Sequence, residues 1–240
     1  MKNSEDKYPI YTFSSFTEEK ARRAFGLKVQ MNPNDFLDEW LENAAKQTVE
    51  VGEGTQLQKL QNKLSIFVRG WNEQELRERF IIPVVELVDF DMYQLEVVAF
   101  SEREMKVTYK KSIIQGKVEW MVATGIGEPQ QPFFFIHEYK KEKDASNDPV
   151  GQILATLYTA QLLNNQKPKP SLFNPSPSNF SQIPLYGCYI VGRFWFFMRL
   201  KGEAYYISKA YDSLDKDDLQ FILKMLKAQK QMIMELVQKN

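Results

Sequence analysis

PFFFIHEYKKEK at residues 132–143, preceded by GKVEWMVATG at residues 116–125, is the stretch whose reading decides the fold. Phe133, Phe134, Phe135 and Ile136 form an unbroken apolar run of strand length. A run without alternation predicts a strand covered on both faces. It ends in Glu138-Tyr139-Lys140, and residues i and i+2 of a strand share a face. Glu138 and Lys140 therefore project together from the end of a buried central strand, while His137 turns the other way and packs. In the preceding run, Val118, Trp120 and Val122 make one face, and Glu119 shares the other with Met121. Residues 125–129, GIGEP, loop between the two, so the layout predicts a hairpin with one acid on each strand. Two carboxylates with a lysine beside one of them make a compact site for a hard divalent cation and a water.

Bulk properties bound what this hairpin can belong to. A chain of 240 residues can build one sizeable core, or one core with a helical appendage. The 31 Lys and Arg residues balance 31 Asp and Glu. The chain as a whole is therefore not attracted to a polyanion, and only local basic patches remain. The candidates are Lys106, Lys110 and Lys111, then Lys140, Lys141 and Lys143, then Lys167 and Lys169. Cys188, in LYGCYIVG, is the single cysteine, which excludes an internal disulfide and points to a reducing compartment. His137 is the single histidine, which excludes histidine-rich zinc sites and argues against a Cys-His hydrolase. MKNSEDKYPIYTF lacks an apolar signal core and no stretch approaches a transmembrane span, so a cytoplasmic protein without a membrane partner is expected. No glycine-rich phosphate loop or nucleophile motif supports a small-molecule enzyme.

Around the hairpin the chain reads as alternating helices and strands. Thr17-Glu18-Glu19-Lys20 opens a helix that Gly26 terminates. Asn34 caps a second, with Phe36, Leu37, Trp40 and Leu41 on one face, and Thr55 begins a third with Leu57, Leu60, Leu64 and Phe67. Asn72 and Glu75 have the form of a capping box, opening a helix that Pro83 should kink. Strands are expected over residues 93–100, 105–109 and 118–123, with a turn at Ser101-Glu102-Arg103-Glu104. Asp148-Pro149 caps a helix carrying Gln152. Residues 165–184, rich in Pro, Ser and Asn, form a loop. Strands over 185–191, 194–200 and 204–208 and an amphipathic helix over 215–239 close the chain.

An acid, a turn, then Glu-X-Lys, followed by a glutamine-bearing helix, resembles the PD-(D/E)XK nuclease superfamily. The helix at 72–90, with Glu73, Arg77, Ile81 and Pro83, resembles the first helix of the nuclease domain in type I restriction enzyme subunits. The resemblance covers residues 72 to about 212. It implies an α/β fold with a restriction-endonuclease-like mixed β-sheet flanked by helices. Residues 72–240 would form the nuclease-like domain, and residues 1–71 an N-terminal helical extension packed on it. It implies Mg²⁺ or Mn²⁺ held by Glu119 and Glu138, with Glu73 or Glu75 completing the metal site. Glu78 and Glu86 stay open by helix geometry. Lys140 would orient the attacking water, and Gln152 would position water or substrate. Tyr158, further along that helix, corresponds to a tyrosine found in some exonuclease branches. The implied partner is nucleic acid, DNA ahead of RNA, and a homodimer is allowed. One departure matters: the family's usual Asp is here Glu119, one methylene longer. The alternative is therefore a catalytically inactive nuclease-fold protein acting in binding or assembly.

Overall fold

The computed structural model describes residues 8–31, 37–140, 148–166 and 183–239. From the N-terminus come strand β1 (Ile10–Thr12), helix α1 (Glu18–Phe25) and strand β2 (Lys28–Val29), then helices α2 (Asp38–Ala45) and α3 (Val51–Phe67). A composite helix follows: α4 (Glu73–Leu76), a π turn (Arg77–Ile81) and α5 (Ile82–Glu86). Strands β3 (Val97–Tyr109), β4 (Ser112–Thr124) and β5 (Gln130–Lys140) form an antiparallel meander, and α6 (Pro149–Asn164) crosses to β6 (Leu185–Val191). Strands β7 (Phe194–Lys201), β8 (Ala204–Ile207) and β9 (Tyr211–Asp212) precede the final helix α7 (Lys216–Gln238).

Among the described residues the strands join in one mixed sheet, in the order β1-β4-β5-β6-β7-β8-β2. β3 lies along the other edge of β4, and β9 pairs with β7. β5 is central, antiparallel to β4 and parallel to β6, and it is buried from Pro132 to Lys140. Its side chains feed two cores. Phe135 and Tyr139 join Trp40, Phe80, Trp195 and Leu226 on one face, and Ile136 joins Phe25, Leu154 and Leu157 on the other. The molecule is thus a mixed α/β structure with helices on both sides of the sheet, as the apolar run of β5 predicts.

Helix α6 is buried nearly throughout, which explains why its sequence is apolar all round. Asp148 fixes its start. Its Oδ1 accepts from the backbone N–H groups of Val150 and Gly151 at 2.9 and 3.2 Å, and its Oδ2 accepts from Glu18 N–H at 2.7 Å. One carboxylate therefore caps α6 and α1 together. At the far end, the Asn164 side chain bonds both the N–H and the C=O of Phe133, at 2.9 and 2.8 Å. Both ends of the crossover are fixed to the elements that flank the strand.

Several expectations change. Ser101–Glu104 is not a turn. β3 runs through it, its polar side chains largely exposed, and Glu102 is accommodated by a left-handed φ of 55°. The turn sits instead at Lys110–Lys111, with φ of 45° and 59°, the twist a two-residue hairpin requires. Residues 93–95 form a 3₁₀ turn, and the strand starts at Val97 after Glu96 at φ 52°. α3 begins at Val51, behind a Glu50–Glu53 capping box, rather than at Thr55, and Phe67 stays exposed. Pro83 acts through the π turn just upstream of it, which accommodates the lost hydrogen bond. Val118 packs on the α6 side with Met121, while Trp120 and Val122 face the α7 side, so alternation breaks at Glu119. β1, β2 and β9 carry too few residues for any periodic signal. Asn34, Phe36, Lys141, Lys143, Lys167 and Lys169 lie outside the described residues. Among the described residues, no helix is long and apolar enough to cross a membrane.

Two glycines test this packing in opposite directions. A Cβ on Gly151 would stand 2.3 Å from the backbone carbon of Thr17. Gly151→Ala should therefore force α6 off α1 and destabilise by about 3 kcal/mol, read as a lowered urea midpoint. A Cβ on Gly52, in α3, would have nothing within 4 Å, so Gly52→Ala should stabilise by about 0.5–1 kcal/mol.

Candidate active site

The end of β5 carries the chemistry. Glu138 and Lys140 project to the same side of the strand, and Lys140 Nζ lies 2.7 Å from Glu138 Oε1. Their side chains are only 4% and 9% exposed. The contact is an ion pair rather than a well-aligned hydrogen bond, since Glu138 Oε1 lacks a partner in bonding geometry among the described residues. Glu73 Oε2 approaches the same ammonium at 3.7 Å. Glu73 reaches it because the Asn72–Glu75 capping box starts α4 there.

The same box takes Glu75 away. Its carboxylate accepts from Asn72 N–H at 3.1 Å and pairs with Arg79 at 3.5 Å. Of the two helix acids, the structure brings Glu73 to Lys140 and leaves Glu75 as a cap. Glu78 and Glu86 line a neighbouring cleft.

Glu119 enters from β4. Arg77, on the π turn, lies 3.5 Å from Glu119 Oε2 and 2.7 Å from Glu102 Oε1. Glu102 and Glu119 fall opposite each other, between the pairs Ser101↔Trp120 and Arg103↔Val118. Lys117 reaches Glu102 at 3.3 Å. Reading residues 101–104 as a turn hid Glu102, and no signal in the polar SERE run marks it as a strand residue. Gln152 lies on the first turn of α6, buried, with Oε1 unpartnered among the described residues. Tyr158 is turned elsewhere, stacked on Phe25 and bonded to Tyr109. Glu73 and Glu119 are 36% and 24% exposed at the side chain, so the cluster meets solvent on their side. A cleft of about 520 Å³ adjoins it through Arg77 and Trp120, without reaching Glu138 or Lys140.

The electrostatics are those of acids taken out of water, with neighbouring acids adding to the effect. Burial pushes the Glu138 carboxyl up to about 7, against the pull of Lys140, and the nearby charges of Glu119 and Glu73 add to the rise. Burial and then Glu73 raise Glu119, with Lys140 and Arg77 opposing. Lys140 is held above its ordinary value: burial works against its charge, but Glu138, Glu73 and Glu119 outweigh it. His137 is different. Its ring packs 4.6 Å from Trp120 and 4.5 Å from Phe135, and burial takes it down to about 3, so it is a neutral core residue. Burial raises the Cys188 thiol well above its ordinary value, which makes it inert as a nucleophile.

The donors that converge suit a hard cation: carboxylate oxygens, with no soft ligand beside them among the described residues. Among the described residues, no three His, Cys, Asp or Glu side chains converge as a ready-made metal cage. Mg²⁺ does not require one, since one or two carboxylates with water and phosphate oxygens hold it. The repulsion between Glu73, Glu119 and Glu138 is what such a cation would relieve.

No model of a known protein family matches the chain, and no curated protein matches it.

The raised Glu138 carboxyl fixes a pH signature. The folded state holds this proton more tightly than the unfolded chain, so the associated stability is complete below about pH 4.5. It is lost as pH rises through about 7. Urea unfolding of wild type and Glu138→Gln across this window should show the wild type losing up to about 3 kcal/mol relative to the variant.

Proposed function

We propose that the protein is a Mg²⁺-dependent nuclease-like hydrolase acting on phosphodiester bonds of DNA. The domain would be restriction-endonuclease-like and span residues 72–240. The observation that carries this reading is a buried lysine, Lys140, held between Glu138 of its own strand and Glu73 of α4, with Glu119 of the adjacent strand close enough to favour its charge. The order α4, β3, β4, β5, α6, β6 supports it: a helix with an acid, an acid-bearing hairpin, Glu-X-Lys, then a helix carrying Gln152.

When bound, Mg²⁺ would neutralise charge on the phosphoryl oxygens and lower the pKa of a coordinated water. Glu119 and Glu138 would hold the cation, with Glu73 as the helix acid. Lys140 orients the attacking water and stabilises charge developing on the phosphate. Gln152 positions water or substrate. Arg77 neutralises Glu119 and Glu102, and so sets how much negative charge a cation meets.

A second reading has its own observations. Arg77 already sits on Glu119, Glu119 is a glutamate where the resembled family uses aspartate, and no third carboxylate closes a cage among the described residues. These favour a non-cleaving binding or assembly protein on the same fold.

Incubation of the folded protein with supercoiled, linear and single-stranded DNA in Mg²⁺ or Mn²⁺ should give nicking or trimming. Lys140→Ala should reduce it at least about 100-fold with unchanged circular dichroism. Mn²⁺ titration should show binding that Glu119→Gln weakens. Absence of both cleavage and metal binding in the folded wild type would transfer the case to the second reading, and cleavage of RNA alone would overturn the DNA assignment.

A further inference from the structure

The part of the sheet built from β1, β3 and β4 has one face turned to the core and one turned out. Met105, Val107 and Ile114 enter the core on the α6 side. Strand alternation sends Lys106, Thr108 and Ile113 to the opposite face. That face is open among the described residues. Lys106 and Thr108 are exposed, and Ile10, which pairs with Ile113 from β1, is 58% exposed.

The chain as a whole is electrically balanced, yet lysines gather here. Lys106 and Lys117 stand on the two long strands, and Lys110 and Lys111 form the hairpin tip. Lys106 and Lys111 are exposed and hold no ion pair among the described residues. Glu104 falls opposite Lys117, and Glu102 touches it at 3.3 Å. Lys117 and Glu102 are 55% and 44% exposed, so that pair is weakly held and its ammonium can turn to another anion.

The lysines are interleaved with apolar groups. Ile10 and Ile113 lie side by side, and the Pro9 carbonyl accepts from Ile113 N–H at 2.9 Å, which keeps Tyr8, 43% exposed, near the tip. A polyanion that also shows flat apolar surfaces fits such a face. A single nucleic-acid strand does, since its bases are free to stack, whereas a duplex keeps them inside.

The face leads to the acid cluster. Glu102, which meets Lys117, is 2.7 Å from Arg77, and Arg77 is 3.5 Å from Glu119. Lys111 lies six strand positions from Lys117, about 20 Å away. The acids of the cluster repel phosphates, so a strand that ends there needs cations along its approach.

We propose that this face is the track on which a single strand of DNA reaches the acid cluster. Its phosphates lie on Lys106, Lys111 and Lys117, and its bases rest on Tyr8 and Ile10. The proposal rests on the nuclease reading above, which supplies the strand's destination.

Fluorescence anisotropy of the full chain with a short labelled thymidine oligonucleotide tests it, in EDTA so that binding is read without cleavage. Saturable binding with Kd below about 10 μM at low salt is expected. Lys106→Ala with Lys111→Ala should weaken it at least about tenfold and take roughly 1.4 from the slope of log K against log salt. Tyr8→Ala should weaken it at least about fivefold and leave that slope unchanged. Lys216→Ala with Lys239→Ala, at the two ends of α7, should bind as wild type does. The exposed lysine variants should keep the wild-type circular dichroism. No saturable binding to the wild type overturns the proposal. So does equal affinity in the Lys106 and Lys111 double variant, or binding of the matching duplex or of polyglutamate as tight as that of the single strand. Cleavage by wild type that the double variant retains in full would remove the track and leave the nuclease reading standing. Binding with the expected pattern but no cleavage in Mg²⁺ or Mn²⁺ would keep the surface and remove the nuclease reading.

Discussion

The contact between Glu138 and Lys140 is the constraint around which the rest of the sheet is arranged. Removing a carboxylate and an ammonium from water costs more than their attraction usually returns, and a hydrophobic pair at the same place would generally be at least as stable. Here the pair terminates the most buried strand of the molecule, with β4 and β6 on its flanks. The fold sustains it by adding nearby charges, Glu73 at the ammonium and Arg77 at Glu119. The resulting balance leaves Glu138 near its titration midpoint around neutral pH, which a purely structural ion pair would not require.

Three of the groups around this cluster stand where their element departs from regular geometry. Arg77 stands on a π turn, Glu102 occupies a left-handed conformation, and the alternation of β4 reverses at Glu119. Irregularities of these kinds concentrate at functional sites, where a side chain must be aimed rather than merely packed. They coincide at the Arg77–Glu102–Glu119 contacts, away from the Glu-X-Lys strand itself.

Much of this was legible in the residues. The unbroken Phe133–Ile136 run announced a doubly covered strand, and Asp148-Pro149, Asn72–Glu75 and Thr17 announced helix starts that the structure contains. The i, i+2 rule placed Glu138 beside Lys140 because strand geometry is local. Tertiary placement was not local. The capping-box form already tied Glu75 to the helix start, but that Glu73 then reaches Lys140 follows only from how α4 packs. Glu102 was hidden because a polar SERE run in a strand reads as a turn. Asp148 as a cap for α1, 130 residues away, follows only from packing.

The irregularity at Glu102 has a consequence for how the molecule keeps to itself. Among the described residues β3 pairs with β4 alone of the named strands, and beyond the Met92–Val97 bridge and the Asp91 cap on the Ala99 N–H no other strand covers its second margin. A straight ladder of that length is a template on which a foreign strand can zip. The left-handed Glu102 in its middle, followed by Arg103 and Glu104, interrupts the repeat and puts charge beside the gap. The same irregularity that aims a carboxylate toward Arg77 thereby also breaks the regular ladder at the open margin of the sheet.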